Sequence, residues 1–217
     1  DITAVNNLSF AAKQGELIAL LGVNGAGKTT TVKMLSCLIK PTSGDASIMG
    51  FSITNEPEKV KEVINISPQE SAIAPNLTVT ENLEFTARIY GYSRSDCKKA
   101  VADIIERMSL QNVRNTKSKI LSGGYARRLS IAMAVITKPK VLFLDEPTLG
   151  LDVIARRELW SIIEDVKQSG TVILTTHYME EAEHLADRIA IISHGCLKAL
   201  GTAAQLKTQS GAETLED

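Results

Sequence analysis

Eight residues near the N-terminus restrict this chain's fold more than any other stretch. Gly22-Val23-Asn24-Gly25-Ala26-Gly27-Lys28-Thr29 fits the pattern G-x-x-x-x-G-K-[ST] without a mismatch. A strand-like run, Glu16–Leu21, leads into it and a helical pattern, Thr29–Leu38, leads out. In that order a glycine-rich turn can aim several backbone N–H groups at one anion, and the start of the helix adds its partial positive charge. The spacing predicts that the loop cradles phosphates, that Lys28 reaches their outer oxygens, and that the Thr29 hydroxyl ligates Mg²⁺. An ordinary glycine-rich turn is the alternative, and the strand–helix context argues against it.

Around this motif, strand-like and helical patterns alternate, which predicts an α/β core. A turn at Pro41–Gly44 leads to a short strand near Ala46–Met49, and Lys61–Ser67 is read as another strand. From Ala72 to Lys119 no strong strand occurs. Thr78-Val79-Thr80-Glu81 fits a capping box, Gly91 closes the helix that follows, and Val101, Ile104, Ile105 and Met108 share one helical face. With a further helix from Ser122 to about Thr137, this predicts a helical subdomain over roughly 72–137, set into a core of roughly 1–71 and 138–217. Later come a strand at Val141–Asp145, a helix marked by Leu159, Ile162, Ile163 and Val166, a strand at Thr171–Thr175, and a hairpin of Arg188–Ser193 and Cys196–Leu200. The tail Gly211–Asp217 reads as frayed.

Val141–Asp145 carries a second acid directly after it, Glu146. Asp145 is the candidate to help hold Mg²⁺, and Glu146 the candidate to polarise an attacking water. Acids often end strands, so the pair gains meaning only beside the phosphate loop. If the two strands are near neighbours, Asp145 falls next to a metal held by Thr29. Leu121-Ser122-Gly123-Gly124 opens a helix with a hydroxyl and two glycines, which reads either as an N-cap with flexible glycines or as a second anion site. His177, at the end of the Thr171–Thr175 run, reads alone as a surface residue or as a ligand. His184 and His194 read as surface residues.

Composition removes several classes. Lys and Arg number 24 against 25 Asp and Glu, a net charge of −1, which lacks the basic footprint of a nucleic-acid binder. Cys37, Cys97 and Cys196 are odd in number and form no C-x-x-C pair, which argues against a disulfide framework or a zinc site. No apolar run approaches the ~20 residues of a spanning helix. The chain begins with Asp1, without Met or a signal-peptide pattern, and reads as trimmed at both ends.

Taken together, the phosphate loop, Leu121-Ser122-Gly123-Gly124-Tyr125 and the Asp145-Glu146 strand resemble the nucleotide-binding domain of ABC (ATP-binding cassette) transporters over nearly all 217 residues. Tyr125 stands where Gln is commonest. The resemblance implies ATP and Mg²⁺ as ligands, a P-loop core with a helical signature subdomain and an antiparallel β part, and nucleotide contacts from Gly22, Asn24, Gly25, Ala26, Gly27, Lys28, Thr29 and Thr30. It also implies that Gln69, after Ile66-Ser67-Pro68, ligates Mg²⁺ beside Thr29 and Asp145; that Asp152, in Gly150-Leu151-Asp152, lies at a dimer seam; and that His177 contacts γ-phosphate. Ser122, Gly123 and Gly124 would cap the nucleotide of a second, head-to-tail copy. Lys28, Glu146 and His177 are the implied catalytic set.

A finer resemblance, to the ATPases of drug exporters, rests on Asn24–Thr30, Gly150–Asp152 and Thr175–Glu183. It implies a membrane-spanning partner, separate or fused, at whose cytoplasmic face the chain sits. The family's adenine-stacking aromatic would fall before Asp1, and Phe10 is too late to match it. A soluble ATPase of the same family acting on translation or DNA, or a cassette that binds without hydrolysing, are the other readings. The absence of a long heptad tract and the intact Glu146 and His177 argue against them.

Overall fold

The computed structural model describes residues 3–70 and 72–211. The chain runs β1 (Leu17–Leu21), α1 (Lys28–Leu35), β2 (Ser47–Ile48), β3 (Phe51–Ser52), α2 (Pro57–Val63), β4 (Ile64–Ser67), α3 (Val79–Ile89), α4 (Arg94–Arg107), α5 (Gly123–Val135), β5 (Val141–Asp145), α6 (Val153–Lys167), β6 (Thr171–Thr176), α7 (Met179–Leu185), β7 (Arg188–Ser193), β8 (Cys196–Gly201) and α8 (Ala203–Ser210). Among the described residues the main sheet has the order β4-β5-β6-β1-β7-β8. Its pairs are parallel except β7–β8. This is an α/β fold with a P-loop core.

Every residue of β1, β5 and β6 is buried, as a parallel sheet covered on both faces requires. One apolar cluster joins Leu17, Leu142 and Leu174 to α3–α7; the other joins Ile18, Phe143 and Ile173 to α1, α2 and the β2–β3 ribbon. Phe10, half-buried, packs against the second cluster. No helix among the described residues is long and apolar enough to cross a membrane.

The register sets the functional edge. Asp145 pairs with Thr175 on β5–β6, and Leu21 with Thr176 on β1–β6. Gly22, Glu146 and His177 therefore leave the sheet side by side at the carboxyl ends of their strands, where ligands of open α/β sheets bind. The strands of the phosphate loop and of Asp145 are neighbours once removed, with β6 between them.

Several elements differ from expectation. Lys61–Val63 ends helix α2, and the strand is only Ile64–Ser67: Pro57 starts a turn of helix that buries Val60. The strand near Ala46–Met49 shrinks to two residues, because Met49 (φ 53°) and Gly50 (φ 88°) make a tight turn into β3. Helix α1 stops at Leu35, and Cys37 turns left-handed at φ 58°. The capping box forms as expected: Glu81 N donates to Thr78 Oγ1 at 3.2 Å and Thr78 N to Glu81 Oε2 at 2.7 Å. Residues 212–217 of the expected frayed tail lie outside the described residues.

Candidate nucleotide site

The phosphate loop is shaped by close approach. Gly27 sits at φ 101°, and a Cβ there would lie 2.4 Å from the Ala4 carbonyl oxygen, so no other residue fits. Ala26 is buried behind the loop and its carbonyl accepts from Gly195 N at 3.0 Å. Asn24 and Gly25 are exposed at the loop's crest, while Gly22 and Thr30 are half-buried. Helix α1 begins with no side-chain cap and no acid in its first turn. Its first N–H groups and dipole are thus left for an external anion, which fits a phosphate.

Lys28 is 5% exposed and folds back over the loop. Its Nζ donates to the carbonyls of Gly22 (2.7 Å) and Val23 (3.2 Å) and lies 3.3 Å from Glu146 Oε1. Thr29 Oγ1 donates to Asp145 Oδ1 at 3.1 Å, and Thr175 Oγ1 donates to the same oxygen at 2.5 Å. Glu146 Oε2 lies 2.8 Å from His177 Nδ1. Five residues expected from sequence (Lys28, Thr29, Asp145, Glu146 and His177) thus form one connected cluster.

Glu146 stands in the left-handed region at φ 47°, directly before Pro147, a backbone that costs on the order of 1–3 kcal/mol. Its N–H is pinned by both the carbonyl (3.1 Å) and the hydroxyl (2.9 Å) of Thr175. The strain turns the carboxylate off the strand and toward Lys28 and His177.

No group of three or more His, Cys, Asp or Glu among the described residues could hold a metal by itself. Thr29 and Asp145 supply two hard oxygens, a donor set that suits Mg²⁺ with phosphates and water completing it. Gln69 is not drawn into this cluster: its side chain is exposed in the loop after β4, and its carbonyl accepts from Arg127 Nη1 at 3.4 Å.

Ser122, Gly123, Gly124 and Asp152 gather elsewhere, around a cavity of about 200 Å³ also lined by Tyr125 and Arg128. Ser122 caps α5 and Asp152 caps α6, whose Ala155 N donates to Asp152 Oδ1 at 2.9 Å. Gly124 faces Ala155: a Cβ on it would come within 3.3 Å of that methyl. None of Lys28, Thr29, Asp145, Glu146 or His177 lines this cavity. The two groups of residues therefore do not line a common cavity.

Sequence reading missed Arg127. It is buried, and its guanidinium donates to the carbonyls of Pro68 (2.5 Å), Asp145 (2.7 Å), Pro147 (2.8 Å) and Gln69. Burial pulls its pKa down to about 10, with Asp145, Glu181 and Glu146 opposing, so it stays charged at neutral pH. It ties the helix of the glycine pair to the loops of Gln69 and Glu146. Arg127→Ala is expected to destabilise the fold by ~3 kcal/mol or more, at about 1–3 kcal/mol for each buried acceptor left without a donor. A denaturant midpoint unchanged from the parent would contradict this. The adjacent pair Arg127-Arg128, following Ser-Gly-Gly in a mostly apolar helix, was the one available signal.

A family model described as "ABC transporter" matches residues 5–149. The human phospholipid-transporting ATPase ABCA3 is 43% identical over 212 residues, 98% of this chain and 12% of that protein. The linearmycin resistance ATP-binding protein LnrL of Bacillus subtilis is 42% identical over 214 residues, covering 98% of this chain and 69% of LnrL. Among solved structures, a dimeric post-hydrolysis state of the ATP-binding cassette MJ0796 bound to ADP and Pi superposes with a TM-score of 0.82 at 26% identity, over 93% of this chain and 91% of that one. The chain thus spans only a small part of the large ABCA3 and about two thirds of the shorter relative.

Proposed function

The chain belongs to the ABC transporter family of ATP-binding proteins, and from that premise we propose that it binds and hydrolyses ATP to drive a membrane-spanning partner, working as a head-to-tail pair. The single observation that carries this reading is the separation of the two half-sites. The Lys28–Thr29–Asp145–Glu146–His177 cluster lies at the ends of β1, β5 and β6, whereas Ser122–Gly124 and Asp152 line a different cavity. A second copy, or a paired cassette, related by two-fold rotation would bring the glycine pair of each onto the phosphate loop of the other.

Within one site, the loop N–H groups and the start of α1 receive the phosphates. Lys28 Nζ now shares its charge between two carbonyls and Glu146, and phosphate oxygens compete for it. As that pairing weakens, Glu146 is left to accept a proton from water, with His177 at its other oxygen. Thr29 and Asp145 would hold Mg²⁺, with Gln69 as a further ligand, and the ion would supply neutralisation of charge on the phosphate oxygens. Arg127 transmits position between α5 and the loops of Gln69 and Glu146. The segment 72–137 acts as the helical subdomain that carries the motion to the partner at the cytoplasmic face of the membrane. The resemblance to LnrL favours export of a drug-like molecule.

The test is release of phosphate from MgATP by the full-length protein, together with the identity of what co-purifies with it. MgATP-dependent turnover and a membrane protein as partner support the reading. Co-purification with ribosomes or nucleic acid, or no turnover with the partner present, would contradict it.

A further inference from the structure

His177 meets Glu146 through one atom: its Nδ1 lies 2.8 Å from Glu146 Oε2. A single hydrogen bond sets a distance but lets an imidazole tilt about it, and this side chain is 26% exposed. The next residue limits that tilt. The ring of Tyr178 packs against the ring of His177, with centroids 4.1 Å apart and planes inclined by 40°.

Nothing in the local backbone calls for a tyrosine here. Tyr178 is the N-cap residue of α7, a place that favours Ser, Thr, Asp or Asn because their side chains bond the first N–H groups of a helix. Tyr178 makes no such bond, and its own N–H is held by Thr176 Oγ1 at 3.0 Å. Its ring, half-buried, instead receives Arg156 of α6, whose guanidinium carbon stands 4.2 Å from the ring centroid. That is well within the ~6 Å reach of a cation–π contact. Arg156 Nε is buried without a hydrogen-bond partner, so the aromatic face takes the place of an acceptor at that atom. Arg156 also lies one helical turn after Asp152, its N–H donating to the Asp152 carbonyl at 2.9 Å. A row of contacts thus runs from the start of α6 through Arg156, Tyr178 and His177 to Glu146.

We propose that Arg156 and Tyr178 are positioning residues: the guanidinium clamps the tyrosine ring, and the ring holds the imidazole of His177 against Glu146, tying its orientation to the first turns of α6. This rests on the proposed ATPase reading and deepens it. A hydrolytic pair must hold its geometry to fractions of an ångström, and misplacement by about 1 Å can cost on the order of 100-fold in rate. The clamp acts on His177 rather than on the phosphate loop, so its loss shows in turnover more than in binding.

The experiment compares Tyr178→Ala, Tyr178→Phe, Arg156→Ala and the combination of Arg156→Ala with Tyr178→Ala in the full-length protein, reading kcat, KM for MgATP and thermal midpoint. Tyr178→Ala is expected to lower kcat about tenfold or more, with KM changed less than about threefold. Tyr178→Phe keeps the ring and both its contacts, and its kcat is expected within about twofold of the parent. Arg156→Ala is expected to lower kcat about threefold or more. The double variant should fall no more than about twofold below Tyr178→Ala, because both changes undo one stack. Should Tyr178→Ala fail to fold, Tyr178→Leu, apolar but without a ring, takes its place throughout; Arg156→Met does the same for Arg156→Ala. Full kcat in Tyr178→Ala or Arg156→Ala, a loss in Tyr178→Phe as deep as in Tyr178→Ala, losses that multiply in the double variant, or equal losses in kcat and ATP affinity would overturn the proposal. If Glu146→Gln abolishes turnover while Tyr178→Ala leaves it intact, only this inference falls. No turnover in the unaltered protein overturns it together with the ATPase reading.

Discussion

Glu146→Gln is expected to slow phosphate release by about 10²- to 10⁴-fold, the contribution of a positioned general base, while ATP still binds. Gln preserves the shape of the side chain and the left-handed backbone at φ 47°, so folding should be retained. What it loses is the charge that faces Lys28 Nζ at 3.3 Å and His177 Nδ1 at 2.8 Å. With hydrolysis blocked and Lys28 released from that carboxylate, the ATP-bound pair should accumulate. Light scattering with MgATP then reports a doubled mass that persists, where the parent returns to its starting state as ATP is consumed. Turnover at the parent rate would remove Glu146 from its assigned task.

Lys28→Ala should act earlier, on binding. The ammonium is buried among two loop carbonyls and Glu146, so its removal deletes a desolvated charge from the place where phosphate charge must be met. The expected loss is ~2–5 kcal/mol, or roughly 30- to 4000-fold in Kd for MgATP. Lys28→Arg should not rescue it, because a planar fork does not fit between the Gly22 and Val23 carbonyls where a compact ammonium does. A Kd within threefold of the parent, measured by calorimetry, would contradict the assignment.

How much of this was legible beforehand depended on whether a feature is local. β1, β5, β6 and the β7–β8 hairpin were read to within a residue or so, since each is a short apolar run ended by glycine, an acid or a turn. Lys61–Val63 was misread because a single buried side chain, Val60, with Pro57 at the start decides for helix, and so short a stretch shows no period. α7 and α8 were not singled out as helices, since they are brief and polar outside their contacts with β1 and β8. For the site, pattern brought Lys28, Thr29, Asp145 and Glu146 to attention and the family resemblance added His177, and the sheet register places them together.

Other roles exist only in three dimensions. Thr175 looked like one more β-branched strand former, yet it pins both Asp145 Oδ1 and Glu146 N. Arg127 satisfies carbonyls far from it in sequence. Glu181 meets Trp160 only because α7 packs against α6. Backbone acceptors leave no trace in a motif, so the partners of a residue that serves them emerge only with the fold.

The central claim is that a complete site needs the phosphate loop of one copy and the glycine pair of another, and mixing two disabled proteins tests it most directly. Lys28→Ala disables the loop. Gly123→Asp places a carboxylate at the start of α5, where its nearest neighbour, Leu151, is 3.8 Å away and the helix tolerates an acid, but where a triphosphate would be repelled. Each protein alone should be inactive. Mixed in equal amounts, half the pairs combine one of each, and each such pair holds one intact site, so activity should return to about a quarter of the parent level. A mixture no more active than its two components measured apart would mean that each site is completed within one chain, and the account would be wrong.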